Sequence, residues 1–470
     1  MRRHLKAVNS LWLIVAVVGL TAGCETAKLP FSAGVGANPT LPPPNKSLIP
    51  TVIIAPAKGW PDGAKPLSAK GTSVNAFATG LDHPRWIFVL PNGDVLVAET
   101  AAPPQPDDNR GFKGWIMKKE MKRVGAGVPS ANRITLLRDA DGDGVAEVRT
   151  VFLEGLNSPF GMALVGSDFY VANTDAVMRF PYASGVTRIS SAGAKFVDLL
   201  GGRINHHWTK NLMASRDGSK LYVTTGSNSN VGENGLDKEA GRAAIWEIDC
   251  QTGQHRMFAS GLRNPNGLAW EPVSGALWTV VNERDELGSD LVPDYLTSVK
   301  DGAFYGWPYS YYGQHVDERA KPSRPDLVAK AIAPDYALGA HVAPSAWPGL
   351  KATACLRSSR LGCSSASTVR GTAGPAVATT WSLCPSAMAG RRGVRWRCSQ
   401  VLSTPRATRT VVLSASRWTS AGRCWWPMTS ATSSGASLPK LLTKEPFLET
   451  HYSSLGHRQP SAAHHPAGGL

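Results

Sequence analysis

Gly80-Leu-Asp-His-Pro84 leads, through Arg85, into Trp86-Ile-Phe-Val-Leu-Pro-Asn-Gly-Asp-Val-Leu-Val-Ala-Glu99, and the same phrase returns further along the chain. Gly155-Leu-Asn-Ser-Pro159 leads into Phe160-Gly-Met-Ala-Leu-Val-Gly-Ser-Asp-Phe-Tyr-Val-Ala-Asn173. Gly261-Leu-Arg-Asn-Pro265 leads into Asn266-Gly-Leu-Ala-Trp-Glu-Pro-Val-Ser-Gly-Ala-Leu-Trp-Thr-Val-Val-Asn282. A fourth copy, Asn211-Leu-Met-Ala-Ser-Arg-Asp-Gly-Ser-Lys-Leu-Tyr-Val-Thr-Thr-Gly226, lacks the Gly-Leu start. Each copy is a short apolar strand, a tight glycine turn and a second apolar strand. Asn92-Gly93 and Asp217-Gly218 supply the positive φ that hairpin turns need.

Further strands are expected between the copies, at Arg133-Ile-Thr-Leu-Leu-Arg138 and Ala244-Ile-Trp-Glu-Ile-Asp249. No long stretch sustains a 3.6-residue period, and 113–124 is the best helical candidate. Hairpins recurring at roughly 50–75 residues imply four-stranded blades, and so an all-β propeller. A β-sandwich is the competing fold, but sandwiches do not repeat a Gly-Leu-x-x-Pro entry.

The chain has 470 residues and a formal charge of +15, which at first suggests a nucleic-acid or membrane-surface binder. The charge is unevenly placed. Residues 345–470 hold 15 Lys+Arg and two acids, Glu445 and Glu449, or 15 − 2 = +13. The preceding 344 residues hold 35 basic and 33 acidic side chains, or +2. That balance carries no nucleic-acid signal. Five of the seven cysteines (Cys355, Cys363, Cys384, Cys398 and Cys424) also fall in the tail.

At the N-terminus, Arg2, Arg3 and Lys6 precede the apolar run Leu11–Leu20 and then Thr21-Ala-Gly-Cys24. This reads as a secretion signal. Ten residues at 1.5 Å each do not cross a hydrocarbon core of ~30 Å. The cysteine after Ala-Gly resembles a bacterial lipobox, with Cys24 as the acylation point. The alternative is cleavage without lipid. Either way the body is expected to be exported, to the periplasm. Residues 25–72, rich in Pro, Ala, Lys and Gly, read as a flexible tether.

Several polar groups stand out. Arg263-Asn264 opens one hairpin, where an Arg either pairs with a ligand carboxylate in fork geometry or structures its own loop. His206-His207 precedes the fourth hairpin; a His there acts as a general base, ligates a metal or simply packs. Asn282-Glu-Arg-Asp-Glu-Leu-Gly288 is either a source of oxygen ligands for calcium or a solvated acidic loop. Asp139-Ala-Asp-Gly-Asp-Gly-Val-Ala-Glu147 places Asp139, Asp141 and Asp143 at positions 1, 3 and 5 of a calcium-loop pattern, with Gly144 at the usual glycine. Its twelfth position is Thr150, so it is either a partial calcium loop or an Asp-Gly turn. The body has no nucleotide-binding glycine pattern, Gly-x-Ser-x-Gly elbow or CxxC pair.

Taken together, residues 75–344 resemble the quinoprotein sugar dehydrogenases of the soluble glucose and L-sorbosone type. The stretches that carry the likeness are Gly261-Leu-Arg-Asn-Pro-Asn-Gly267, His206-His-Trp-Thr-Lys-Asn-Leu212, Asn282-Glu-Arg-Asp285, Lys300-Asp-Gly-Ala-Phe-Tyr-Gly-Trp-Pro308 and Pro129-Ser-Ala-Asn-Arg-Ile-Thr135. The sorbosone branch is the nearer, because of the 115–129 insertion and the Asp-Gly-Asp-Gly stretch.

The resemblance implies a six-bladed propeller holding pyrroloquinoline quinone (PQQ) and Ca²⁺, a sugar substrate and an external quinone or cytochrome acceptor. It implies that His207 takes the sugar hydroxyl proton, that Arg263 and Asn264 contact the cofactor, and that Arg284 and Asp285 offer backbone carbonyls to Ca²⁺. A non-catalytic exported propeller and a calcium-dependent sugar lactonase are the other functions considered.

After Pro344 the family pattern stops. The tail's Arg, Ala, Ser, Cys and Trp, with few acids, are what high-GC coding DNA yields when read out of frame. Residues 428–437, back-translated and read in a neighbouring frame, give D-V-G-N-V-I-W-R-V, a plausible closing strand. A frameshift after about residue 344 is therefore expected, leaving the propeller incomplete, 345–470 disordered and the literal chain inactive or unstable until a one-base repair restores the frame. A basic, Ser-rich nucleic-acid tail is the alternative.

Overall fold

The computed structural model describes residues 27–45, 63–66, 74–104, 119 and 128–346, together with the backbone of four short strands beyond them. The expected signal sequence, Cys24 and nearly all of the helical candidate at 113–124 lie outside the described residues. The chain divides into two compact units, 1–432 and 433–470, and the second lies wholly outside the described residues.

Among the described residues, four antiparallel sheets follow one another along the chain, the first three each built from four consecutive strands. The first holds β2 (Pro84–Val89), β3 (Val95–Glu99), β4 (Arg133–Arg138) and β5 (Val148–Leu153), after β1 (Val35–Gly36), which belongs elsewhere. The second holds β6 (Met162–Val165), β7 (Asp168–Ala172), β8 (Ala176–Pro181) and β9 (Ala194–Asp198). The third holds β10 (Leu212–Ala214), β11 (Lys220–Thr225), β12 (Ala244–Asp249) and β13 (His255–Ser260). The fourth holds β14 (Pro265–Trp270), β15 (Leu277–Val281), β16 (Pro293–Val299) and β19 (Tyr336–Ala340). A small ribbon, β17 (Ser310–Tyr311) and β18 (His315–Val316), is inserted before β19.

All four repeats are thus the first hairpins of four blades, and both expected intervening strands form at the expected bounds. Gly93 and Gly218 take φ of 93° and 72°, as the turns demand.

The first strands of successive sheets, β6, β10 and β14, contact one another, which is the arrangement of propeller blades around an axis. The burial gradient agrees. β3, β11 and β15 are buried along almost their whole length, whereas the outer strands β9 and β13 alternate or lie exposed. The core lies between blades. Leu96, Leu136 and Phe152 of the first pack on Phe169 and Val171 of the second, with the Phe152 and Phe169 rings edge to face at 5.5 Å. Tyr170 and Val177 meet Leu212, Leu221 and Val223 in the same way. Truncating one such phenylalanine to Ala costs about 3–5 kcal/mol.

Glycine sets the closest approach of two blades. The Gly161 N–H donates to Lys210 O at 2.9 Å, and a Cβ on residue 161 would lie 2.3 Å from Leu212 N. No other residue permits that backbone contact.

Two features depart from expectation. The flexible tether expected over 25–72 does not hold for residues 27–45. β1 pairs antiparallel with β19 as a fifth strand on the outer side of blade four, Val35 opposite Leu338. Lys28 N–H donates to Asp290 Oδ2 at 2.7 Å, and Asn45 N–H to Leu287 O at 2.9 Å. The outer edge of β19 offers ladder groups that Val35 and Gly36 pair with. Beyond blade four, β20 (Pro344–Ala346) begins another sheet, pairing with β21 (Gly362–Ser367), which pairs with β22 (Ser382–Pro385).

Candidate active site

The end of a blade where its first strand begins is also the end where its second strand stops, because the two are antiparallel. The segment before β10 therefore meets the segment after β11, and the segments before β14 and after β15 meet beside them. This brings five of the expected residues into one neighbourhood: His207, Arg263, Asn264, Arg284 and Asp285.

Gly226 is the pivot. A Cβ there would sit 2.4 Å from Asn264 Oδ1 and 2.5 Å from His207 Cβ, so both side chains close over a bare backbone. His207 Nδ1 lies 2.7 Å from Ser227 O and 3.1 Å from Ser227 Oγ. A carbonyl only accepts, so Nδ1 carries the hydrogen and Nε2 the lone pair. Ser227 Oγ in turn donates to Ser229 O at 2.7 Å. Below, the buried Lys210 Nζ donates to His207 O at 3.3 Å and Trp208 O at 3.2 Å. Burial, with Arg242 nearby, pushes the Lys210 pKa well down. Arg242 holds Gly226 O at 3.0 Å and Asn205 Oδ1 at 2.6 Å.

Arg263 is buried and cross-links two blades. Its Nη1 donates to Glu283 O at 2.5 Å and its Nη2 to Asn230 Oδ1 at 3.0 Å, with Asp285 Oδ2 at 3.5 Å. Asn264 Oδ1 is buried and has no hydrogen-bond partner among the described residues. With no Cβ on residue 226, this cradle and this acceptor fit a polar ligand bearing an N–H or O–H group, as a quinone cofactor or a sugar does.

Of the two carbonyls expected to meet calcium, that of Asp285 has partners within the chain. The Asp285 carbonyl already accepts from Asn230 Nδ2 and from Arg319 Nη1, both at 3.0 Å. A divalent cation there would face a guanidinium and two occupied lone pairs. The Asp285 carboxylate pairs with His341 Nδ1 at 3.2 Å.

Arg284 is fully buried and works through its side chain. Nε meets Glu283 Oε2 at 3.0 Å, Nη1 meets Pro308 O at 2.9 Å and Asp317 Oδ2 at 3.1 Å, and Nη2 meets Ser310 O at 2.6 Å. Burial alone would lower its pKa, but Glu283 and Asp317 outweigh that and raise it. It is a cationic strut joining β15 to the ribbon.

Asp139, Asp141 and Asp143 lie elsewhere, on the loop between β4 and β5. The structure adds Glu147 to them, and one carboxylate oxygen from each of the four lies within 4.8 Å of the others. That donor set suits a hard cation such as calcium. Glu147 was in the quoted stretch, but the twelfth-position rule drew attention to Thr150 instead.

Four further contributors were not singled out in the sequence, although Lys210 lies within the quoted 206–212 stretch. Ser227 orients His207, Asn230 clamps Arg263 and Asp285, Lys210 supports the His207 backbone, and His341 pairs with Asp285.

With this geometry, the likeness to known proteins can be placed. A family model described as TrAA12-like matches residues 128–298. An uncharacterized protein of Borreliella burgdorferi is 31% identical over 127 residues, 27% of this chain and 32% of the relative. The aldose sugar dehydrogenase YliI of Escherichia coli is 34% identical over 95 residues, 20% of this chain and 21% of the relative. The chain thus matches a third or less of the length of these curated relatives. In three dimensions it is similar to the calcium structure of a Trichoderma reesei carbohydrate-active enzyme of family AA12. The TM-score is 0.58 at 16% identity, covering 80% of this chain and 96% of that one. That likeness is one of fold, a β-propeller.

Proposed function

We propose that this chain is a quinone-dependent sugar oxidoreductase of the L-sorbosone or glucose dehydrogenase type. The observation that carries the proposal is the convergence of His207, Arg263 and Asn264 around Gly226, on a propeller whose sequence resembles those enzymes. Bound at Asn264, PQQ would supply the two-electron acceptor. The chain's own residues do the rest. Ser227 fixes the His207 tautomer, so that Nε2 is the basic nitrogen and accepts the proton of a sugar hydroxyl. Asn264 orients a donor group of the ligand, and Arg263 places positive charge behind it. Calcium would be held by Asp139, Asp141, Asp143 and Glu147, bracing a hairpin, or by the carbonyls of Arg284 and Asp285.

The test is dye reduction by the PQQ-loaded protein, with its frame restored near residue 344, with glucose and L-sorbosone. His207→Gln is expected to lower kcat by about 10²–10⁴ while leaving the unfolding midpoint unchanged. A variant as active as the parent, or a parent inert with PQQ and every sugar offered, would refute the assignment. The latter outcome would favour a binding propeller.

The same proposal includes the six-bladed ring, export to the periplasm, a lipid at Cys24 and a change of coding frame near residue 344. The basic start and lipobox-like Thr21-Ala-Gly-Cys24 support export, and the +13 tail supports the frame change. Resequencing across codons 340–350 tests the latter, and an uninterrupted frame refutes it.

A further inference from the structure

The arginines set deep in the site direct their guanidinium groups to oxygens. Arg242 meets Gly226 O and Asn205 Oδ1, Arg263 meets Glu283 O and Asn230 Oδ1, and Arg284 meets four acceptors. Arg85 differs. It is half-buried on β2, the first strand of blade one. Its Cζ lies 5.6 Å from the centre of the Trp208 ring and 6.0 Å from that of Phe160. Those rings come from the approaches to β10 and β6, so three blades converge on this one cation. Among the described residues no oxygen accepts a hydrogen bond from it and no carboxylate pairs with it. Burial pushes its pKa down to about 10, so it stays charged at neutral pH.

A partly desolvated cation of this kind is costly unless something else meets it. Aromatic faces recover part of the cost. They leave the in-plane N–H groups unmet, because a guanidinium donates from its edges. The neighbouring His83 is no anion and adds no charge. Its Nδ1 is 2.6 Å from Thr100 O, and burial, reinforced by Arg85, lowers its pKa. A flat carboxylate meeting the fork edge-on satisfies two donors at once and fits between aromatic walls.

We propose that Arg85, with Trp208 and Phe160, forms a carboxylate-binding subsite beside His207, the residue that immediately precedes Trp208. Its ligand is either a sugar acid or a carboxylate of a quinone cofactor. The subsite does not depend on the redox reading, since a lectin-like propeller would hold a sugar acid in the same way.

The experiment is calorimetric titration of the full chain with D-glucuronate, D-glucose and PQQ, for the parent, Arg85→Met and Arg85→Lys. Glucuronate, PQQ or both are expected to bind Arg85→Met at least tenfold more weakly, with glucose binding unchanged. Arg85→Lys should recover part of the loss, since charge returns without the fork. A loss confined to glucuronate assigns the subsite to a sugar acid, and one confined to PQQ assigns it to the cofactor. Thermal unfolding reports whether Arg85→Met folds. If it does not, Arg85→Lys and the parent decide, because added salt should weaken carboxylate binding and leave glucose untouched. Unchanged affinity of both carboxylates in the variants, or no binding of either to the parent, would overturn the proposal.

Discussion

Replacing Arg284 by Met separates two roles for the same residue. As a backbone ligand to a cation, it would tolerate any side chain of similar size, and Met follows much of the arginine stem. As the strut described above, it would not. The change leaves Glu283 and Asp317, each with a side chain only 1% exposed, without their shared cation. It also frees Pro308 O and Ser310 O of their donor. Removing one partner of a buried ion pair costs about 3–5 kcal/mol, because the remaining charge stays buried and uncompensated. Arg319, bonded to Asp317 Oδ2 at 2.8 Å, offsets part of this and favours the lower end of the range.

Three kcal/mol is about two orders of magnitude in the unfolding equilibrium. Urea unfolding followed by tryptophan fluorescence, at one pH and with unchanged slope, measures it. Acid should narrow the gap between variant and parent, since protonation removes the stranded charge. A loss below about 1 kcal/mol, as for an exposed ion pair, would refute the strut. So would a variant that loses only a calcium response.

Gly226→Ala should abolish ligand binding, because the methyl would meet both Asn264 and His207; overpacking of this kind costs about 1–3 kcal/mol, read by calorimetry and thermal unfolding together. Asp294 is fully buried, and burial raises its pKa to about 6 even though it accepts from Glu283 N–H and Ala343 N–H. A raised carboxyl binds protons in the fold that the unfolded chain has lost, so stability falls as pH rises from about 4 to 6, by about 3 kcal/mol; urea midpoints across that range test it, and Asp294→Asn should flatten the slope. Burial would lower the His341 pKa, but Asp285 and Gly288 O outweigh it, so its contribution is whole below the ordinary histidine value and is lost as pH rises through the raised one. Calcium at the Asp139 loop, with a Kd of about 0.1–1 mM, should stabilise by about 1.4–2.7 kcal/mol at roughly 10 mM, and Asp141→Asn should erase the shift in Tm.

The blades were legible because each hairpin is a local device. Asn92-Gly93 and Asp217-Gly218 state the turn, and the flanking apolar runs state the strands. His207, Arg263 and Asn264 were legible as residue types beside those hairpins. Their meeting was not, since it depends on Gly226 letting two blades approach, and a glycine reads the same wherever it occurs. The surroundings of Arg284 and Asp285 were hidden for a related reason. A backbone carbonyl has no letter of its own, and Asn230 and Arg319, which occupy the Asp285 carbonyl, lie far off in sequence. Val35–Gly36 shows no alternation, so β1 could be found only from the edge it covers.

That small strand also orders events in time. Val35 is among the first of the described residues to leave the ribosome, and Leu338 among the last. At about 5–20 residues per second, the roughly 300 residues between them take about 15–60 s to synthesise. Throughout that interval the three earlier blades can close locally, while the leading segment waits for a partner that does not yet exist. Docking of β1 is therefore a late seal on blade four. Anything that occupies the leading segment during translation competes with the final step of assembly, and leaves β19 as the strand on which a second chain could add.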